Sequence, residues 1–135
     1  MVEIHIDYEG QLHCNALHLP SGNRLATDAP VDNNGRGEAF SPTDLVATAL
    51  GTCMATIMGM VANRKDIDLA GMAVKVRKYM SDDLPRRIRC LEVDLSVPLP
   101  ADHPARQLLE AAALACPVHH SIHPDIEVVL NWEWQ

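Results

Sequence analysis

The chain is poor in aromatic residues and in positive charge. Phe, Trp and Tyr make up 4% of its 135 residues, so the core must be built from Val, Leu, Ile, Ala and Met. The 11 Lys and Arg stand against 18 Asp and Glu, which gives a net charge of −7. That balance disfavours nonspecific binding to nucleic acid or to an anionic membrane. The length predicts one domain over residues 1–135.

Several sequence motifs are also missing. The chain has no Gly-rich phosphate loop, no Walker sequence, no G-x-S-x-G and no C-x-x-C, so nucleotide binding and serine hydrolysis have no support. The first residues alternate and carry acids, unlike a signal peptide, and we expect a cytoplasmic protein. Four cysteines in that compartment are expected to be reduced, metal-bound or catalytic. They are Cys14, Cys53, Cys90 and Cys116.

The segment Ser41–Arg64 predicts one long buried helix with Cys53 near its middle. Ser41 can cap its N-terminus, Pro42 suits its first position, and Asp44 places negative charge in its first turn. Helical spacing predicts a large apolar face of Val46, Ala49, Leu50, Cys53, Ile57, Met60 and Val61. A second face is small, with Ala47, Gly51, Ala55 and Gly59, and a third consists of Thr48, Thr52 and Thr56.

The two glycines inside this helix call for a reason, because each costs about 1 kcal/mol relative to alanine. We expect another backbone to approach the small face, either from a sheet, from a second helix or from a second copy of the chain. A membrane span is the alternative, since Leu45–Ala62 is an uncharged run of 18 residues. Its Thr, Gly and Ala content makes it only weakly apolar, which favours a soluble helix.

Alternating patterns predict strands on both sides of the helix. Three strands before it form an antiparallel meander, and a loop then leads into the helix; these segments are Val2–Tyr8, Gln11–Leu19, Arg24–Ala29 and Pro30–Phe40. Two strands, a helix, a short helix and a last strand follow it: Met72–Met80, Arg86–Val97, a helix from Asp102 or His103 to Ala115, Pro117–Ile122 and Ile126–Trp134. The order βββ-α-ββ-αα-β predicts an α+β fold.

Two cysteines lie where chemistry is plausible. Cys116 stands at the start of the short helix, followed by Pro117, His119 and His120. Because helix N-termini lower thiol pKa values, the residues alone favour Cys116 as the more acidic thiol. From the residues alone, Cys53 on an apolar helix face is interpreted as a small core residue, whereas Cys116 is either functional or packed. Two further cysteines in predicted strands are interpreted as structural, Cys14 and Cys90.

A metal site is the competing interpretation of this segment. Cys116, His119, His120 and His123 would share one face of a short helix and offer ligands for zinc or copper. No second ligand pair stands at a recognisable spacing, whereas structural zinc needs four converging ligands. His119 and His120 are therefore interpreted as site-lining, and no metal is expected.

Two segments together resemble the OsmC/Ohr family, the osmotically inducible and organic hydroperoxide resistance proteins, and their wording is closest to its less characterised branch. They are SPTDLVATALGTCMATIMGMVANR around Cys53 and CPVHHSIHPDIEV from Cys116 onward. The strand order matches too, so the resemblance covers nearly the whole chain. It implies an OsmC-like fold: an antiparallel N-terminal meander, a long central buried helix, and a second β element with C-terminal helices and strand. It also implies an intertwined homodimer.

The resemblance further implies a thiol peroxidase without a cofactor. The Cys53 thiolate would attack an organic hydroperoxide and become a sulfenic acid. Cys116 would condense with it to a disulfide, which a dithiol partner would reduce. The apolar helix face suits an apolar substrate pocket. No nucleic acid or membrane partner is implied.

The chain departs from the family pattern where the thiol would be activated, since a buried thiol needs a nearby cation to ionise. The family's peroxidases pair an Arg with a Glu ten residues before the first cysteine. Here that position is Thr43, beside Asp44. Arg24 and Arg36 are the nearest candidate cations, and Glu38 could partner one of them. The alternatives are a non-enzymatic dimer that binds a small apolar ligand or senses oxidants, and a thiol–imidazole metal site that uses Cys53 or Cys116 with a histidine.

Overall fold

The computed structural model describes residues 1–135 and contains two three-stranded sheets and three α-helices. The elements are β1 (Ile4–Gly10), β2 (His13–His18), β3 (Arg24–Asp28), α1 (Pro42–Asn63), β4 (Ala73–Met80), β5 (Ile88–Val97), α2 (Arg106–Leu114), α3 (Pro117–Ser121) and β6 (Glu127–Trp134). This order confirms the predicted βββ-α-ββ-αα-β sequence and the α+β class. The loop before α1 also holds one 3₁₀ turn, Val31–Asn33. Contacts divide the chain into two compact units, 1–46 and 47–135.

The N-terminal unit is the predicted antiparallel meander, with strand order β1-β2-β3. Its first turn lies slightly later than predicted. Gly10, Gln11 and Leu12 have φ values of 86°, 53° and 61°, so the chain reverses after Gly10 and the second strand begins at His13. These left-handed positions, rather than Glu9-Gly10 alone, make the turn.

The apolar face of β1 is exposed within the single chain, so the prediction of a half-buried strand is wrong for the chain taken alone. Ile4 is 56% exposed and Ile6 is 66% exposed. The register continues this apolar row across the sheet, because Ile6 pairs with Ala16 and Ala16 pairs with Leu25.

The C-terminal unit is built on the sheet β4-β5-β6. Strands β4 and β5 are antiparallel, whereas β5 and β6 are parallel. Parallel neighbours need a crossover connection, and α2 with α3 supplies it. The face of β5 that was predicted to be buried is buried, through Leu91, Val93, Leu95 and Val97. Helix α2 begins at Arg106, a few residues later than predicted.

Helix α1 begins with a reciprocal cap inside the N-terminal unit. The backbone N–H of Asp44 donates to Ser41 Oγ at 3.1 Å, and the backbone N–H of Ser41 donates to Asp44 Oδ2 at 2.9 Å. The predicted cap at Ser41 is therefore confirmed, and Pro42 takes the first helical position. By length and composition α1 could span a membrane, a test that the core helix of a soluble protein passes equally.

The buried face of α1 differs from the predicted one. The buried positions are Ala47, Leu50, Gly51, Met54, Met58 and Ala62. Only Leu50 belongs to the predicted apolar face, and Met60 of that face is 51% exposed. The reason lies at Gly51, where an added Cβ would stand 2.8 Å from Val76 Cγ2 and 3.3 Å from Val74 Cγ1. Strand β4 thus approaches the small face, which turns α1 so that its small residues and methionines face inward.

Candidate active site

Cys116 occupies the N-cap of α3. Its backbone is extended, with φ −66° and ψ 140°, and Pro117 follows as the first helical residue. The backbone N–H of His119 donates to Cys116 Sγ at 3.3 Å, so the thiol takes the place of a capping hydroxyl. The residue is 0% exposed. The sequence thus places this sulfur in a fixed and buried position.

The second thiol at this place is Cys53, from the middle of α1. The side chain of Cys53 is a neighbour of the Cys116 thiol. Cys53 is half-buried, and both cysteines are free thiols. Buried apolar residues Leu50 and Met54 lie on either side of Cys53 along the helix. The structure therefore brings together, within the C-terminal unit, the two cysteines that the sequence singled out.

The pKa of the Cys116 thiol is raised above its ordinary value, and burial is the main cause. The neighbouring Cys53 side chain raises this pKa further, while the N–H of His119 lowers it. The prediction that the helix start would make Cys116 an acidic thiol is therefore wrong. The backbone N–H groups of Val118 and His119 at the start of this five-residue helix lower the pKa, and loss of solvent around the sulfur outweighs them. Cys116 therefore keeps its proton at neutral pH.

The histidines of this segment do not converge on the thiols as a ligand set. His119 Nδ1 lies 3.1 Å from the carbonyl oxygen of Leu114, to which it can only donate. The ring of His120 meets the ring of His119 edge-on, with 5.7 Å between centroids. His119 contacts Cys116 Sγ through its backbone N–H.

His123 lies outside α3, because Ile122 is extended and ends that helix. Its Nδ1 accepts the backbone N–H of Asp125 at 3.1 Å. The expectation that Cys116, His119, His120 and His123 share one helix face is thus wrong. No group of three His, Cys, Asp or Glu side chains in the chain is arranged to hold a metal ion.

The two candidate arginines lie in the N-terminal unit and bind neutral amide groups there. Arg24 Nη1 donates to Asn15 Oδ1 at 2.9 Å, and Arg36 Nη2 donates to Gln11 Oε1. Glu38 contributes its backbone N–H, which donates to Asp28 Oδ2 at 3.1 Å. An ion pair of Glu38 with either arginine, which the sequence suggested, is not formed.

The remaining candidates, Thr43 and Asp44, serve the start of α1. Asp44 forms the reciprocal cap with Ser41, and the hydroxyl oxygens of Thr43 and Ser41 lie 3.2 Å apart. Thr43 stands at the position where the resemblance leads one to expect Glu. The carboxylate of the adjacent Asp44 already accepts the Ser41 N–H in the helix cap.

The sequence interpretation missed one polar pair in the N-terminal unit. His13 Nδ1 lies 2.5 Å from Asp28 Oδ1, and Asp28 is 3% exposed. These residues face each other because β2 and β3 pair His13 with Asp28. Only the position of the β2–β3 turn fixes that register, so the pair could have been found by aligning the two strands on the Pro20–Asn23 turn.

Comparison with known proteins gives one family and a consistent fold. The family model described as OsmC-like protein matches residues 35–131. A crystal structure from Psychrobacter arcticus 273-4, named for osmotic stress induction and a detoxification response, shares 44% identity with this chain. The alignment covers 98% of this chain and 96% of that one, with a TM-score of 0.92. A comparison with curated proteins finds no match.

Two more distant structures share the fold. An organic hydroperoxide resistance protein OsmC from Legionella pneumophila is 19% identical, with a TM-score of 0.76 over 98% of this chain and 96% of that one. An organic hydroperoxide resistance protein from Elizabethkingia anophelis is 16% identical, with a TM-score of 0.80 over 100% of this chain and 96% of that one. At such identities the likeness concerns the fold alone.

Proposed function

Since this chain belongs to the OsmC-like protein family, we propose that it reduces organic hydroperoxides with the thiols of Cys53 and Cys116. The observation that carries the proposal is that these two thiols are neighbours, although they come from different elements, the middle of α1 and the start of α3. The names of the Legionella and Elizabethkingia neighbours support hydroperoxides as the substrate class. The apolar neighbours of Cys53 favour an organic peroxide over a fully polar one.

The first step oxidises Cys53. Its thiolate attacks the terminal peroxide oxygen; an S–O bond forms, the O–O bond breaks, and the alkoxide leaves as an alcohol after taking up a proton. Sulfur is oxidised to a sulfenic acid while the peroxide is reduced. Cys53 is assigned this role because it is half-buried, whereas Cys116 is fully buried and keeps its proton.

The second step resolves the sulfenic acid. The sulfur of Cys116 attacks the sulfur of Cys53; an S–S bond forms, the S–O bond breaks, and the hydroxyl leaves as water with the Cys116 proton. A dithiol partner then reduces this disulfide by exchange and is itself oxidised. A reducing, cytoplasmic compartment would supply such a dithiol, and the four free cysteines of the chain fit that location.

The cation that favours the Cys53 thiolate is assigned to Arg24 or Arg36. Both guanidinium groups donate to neutral amide oxygens. Because Thr43 replaces the Glu of the family's peroxidases, the arginine here would act without that carboxylate. The variants Arg24→Gln and Arg36→Gln would identify the activating arginine. Only replacement of that residue should slow Cys53 oxidation severalfold.

We further propose that residues 1–135 act as one OsmC-like domain and assemble as a homodimer. The first support is the exposed apolar face of sheet β1-β2-β3, on which Ile4, Ile6, Tyr8 and Leu25 are 56%, 66%, 66% and 41% exposed. Contiguous exposed apolar residues of this kind mark interaction surfaces.

The second support for a dimer is the exposed stripe of α1. Thr52 Oγ1 donates to the Thr48 carbonyl at 2.8 Å, and Thr56 Oγ1 donates to the Thr52 carbonyl at 2.8 Å. The hydroxyl groups are thus satisfied inside the helix, and the stripe presents methyl groups. Such a surface suits a dry contact with a second copy.

Light scattering tests the assembly. We expect twice the chain mass of 14.8 kDa for the wild type, and Ile6→Lys should lower it toward one chain. His5→Lys is the matched control, since His5 lies on the opposite face of β1. A wild type that stays at the mass of one chain at micromolar concentration would refute the dimer.

Peptide mass analysis tests the peroxidase. Reduced protein is mixed with one equivalent of cumene hydroperoxide, and we expect rapid formation of a Cys53–Cys116 disulfide. Cys116→Ser should stop at a sulfenic acid on Cys53 that dimedone traps, and Cys53→Ser should leave Cys116 reduced. Cys14→Ser and Cys90→Ser are controls and should behave as the wild type. If both thiols of the wild type stay reduced, the peroxidase proposal is refuted. The alternative of a non-enzymatic dimer that binds a small apolar ligand would then replace it.

A further inference from the structure

Asp28 is a buried carboxylate that holds three parts of the N-terminal unit together. It lies at the end of β3 and is 3% exposed. Its Oδ1 contacts His13 Nδ1 at 2.5 Å, at the start of β2, and its Oδ2 accepts the backbone N–H of Glu38 at 3.1 Å. Glu38 belongs to the loop of residues 29–40, which leads to Ser41 and the cap of α1. One side chain therefore ties that loop to two strands.

The loop of residues 29–40 also packs closely on the end of β3. The backbone N–H of Asp28 donates to the Phe40 carbonyl at 3.1 Å, and the N–H of Gly37 donates to the Ala29 carbonyl at 3.3 Å. A Cβ added at Gly35 would stand 1.6 Å from the Ala29 carbonyl oxygen, so only glycine fits there. The loop is thus folded back on the strand, and the Asp28 carboxylate supplies a side-chain attachment.

We propose that His13, Asp28 and the Glu38 amide form a proton-controlled clasp, which holds the loop of residues 29–40 closed while His13 is protonated and loosens it when His13 loses its proton. In this clasp a titratable ring lies against a buried carboxylate that also holds a loop amide.

The charged groups around His13 favour its protonated form. Glu9 Oε2, on β1, lies 3.7 Å from His13 Nε2, and Asp28 faces the other ring nitrogen. Arg36, in the loop, opposes the His13 charge but acts least among these groups. The hydrogen bond to Asp28 is the main cause that raises the pKa of His13 above 6.5. The same bond lowers the pKa of Asp28, so the carboxylate stays ionised.

The direction of the pH effect follows from these shifts. The contribution of protonated His13 is fully present below pH 6.5 and is lost as the pH rises through its raised pKa. A neutral ring can still donate through Nδ1 to the carboxylate, but the attraction between the two opposite charges is lost. Above that pKa Asp28 keeps a buried charge with weaker compensation, which favours exposure of the carboxylate and release of the Glu38 amide.

Amide hydrogen exchange of Glu38 tests the clasp in the whole protein. Exchange is measured between pH 6 and 9, corrected for the intrinsic rate, while proton NMR follows the titration of His13. We expect Glu38 protection to fall about five- to tenfold as His13 becomes neutral, because the attraction between its positive charge and the Asp28 carboxylate is lost. Amides of the β2–β3 ladder, such as that of Leu25, which pairs with Ala16, should keep their protection, which distinguishes local opening from unfolding.

Two variants make the test decisive. His13→Gln keeps an N–H donor but no charge, and it should show low Glu38 protection at every pH. His5→Gln is the matched control, because His5 pairs with Glu3 at 2.8 Å on the exposed side of β1; it should behave as the wild type. Glu38 protection that stays constant through the His13 titration, or a His13→Gln variant that keeps the wild-type pH dependence, would overturn the proposal.

Discussion

Gly51 sets the position of α1 on sheet β4-β5-β6, and its replacement by alanine tests that statement. An added Cβ would lie 2.8 Å from Val76 Cγ2 and 3.3 Å from Val74 Cγ1. To reach ordinary contact at 3.4 Å, the Val76 methyl must retreat by about 0.6 Å, the difference between 3.4 and 2.8 Å. Interiors packed at this density resist such shifts.

Two effects of opposite sign act in Gly51→Ala. Alanine gains about 1 kcal/mol of helix propensity over glycine. Extra volume in a packed core costs about 1–3 kcal/mol. We therefore expect a net loss of about 0–2 kcal/mol in the free energy of unfolding. Gly59→Ala is the control, because no atom lies within 4 Å of its added Cβ in the single chain and only the propensity gain of about 1 kcal/mol should remain.

Urea denaturation of both variants measures the difference, at one protein concentration so that any association is held constant. Val76→Ala in the Gly51→Ala background should recover part of the packing loss. Because Gly51 lies two residues before Cys53 in α1, displaced packing should also slow Cys53–Cys116 disulfide formation. If Gly51→Ala stabilises the protein as much as Gly59→Ala does, the close approach of β4 does not constrain α1 and the reasoning fails.

Three further predictions concern the ends and faces of the helices. Ser41→Ala removes the acceptor for the Asp44 N–H and should cost about 1 kcal/mol of unfolding free energy in urea denaturation; an unchanged midpoint would contradict the cap. In a variant whose only cysteine is Cys116, absorbance at 240 nm should show thiolate formation above the ordinary value of 9.0, because burial raises the pKa of this thiol; a titration below 9.0 would favour the helix start instead. Thr52→Val should change the mass in light scattering little, since its hydroxyl already bonds the Thr48 carbonyl, whereas Thr52→Glu should yield single chains; a Thr52→Glu dimer would exclude this stripe from the interface.

The order of the elements could be predicted because each strand and helix carries its own local pattern. The alternation of β5, with Leu91, Val93, Leu95 and Val97 on one face, needs no partner to be recognised. The cap of α1 was equally local, since Ser41 and Asp44 stand three residues apart. These features depend on neighbours along the chain, which a sequence displays directly.

The orientation of α1 could not be predicted from its own residues. Hydrophobicity favoured the face of Cys53 and Ile57, whereas the buried face is set by the contact of Gly51 with Val74 and Val76. That contact joins residues from two distant elements. The same holds for His13 and Asp28, whose proximity depends on the β2–β3 register.

The thiol pair shows what the local sequence pattern predicts and what it does not. The residues alone favoured Cys116 as the acidic thiol from its place at a helix start, but burial decides the direction of its pKa shift. The resemblance, not the residue pattern, paired it with Cys53. A buried Cys116 that keeps its proton is a poor competitor for peroxide, and yet it is a neighbour of the thiol whose sulfur it would attack. Under the proposed function, the half-buried Cys53 reacts with the peroxide, and the buried Cys116 stays reduced until a sulfenic acid forms. The fold would then separate the two steps by burial rather than by distance.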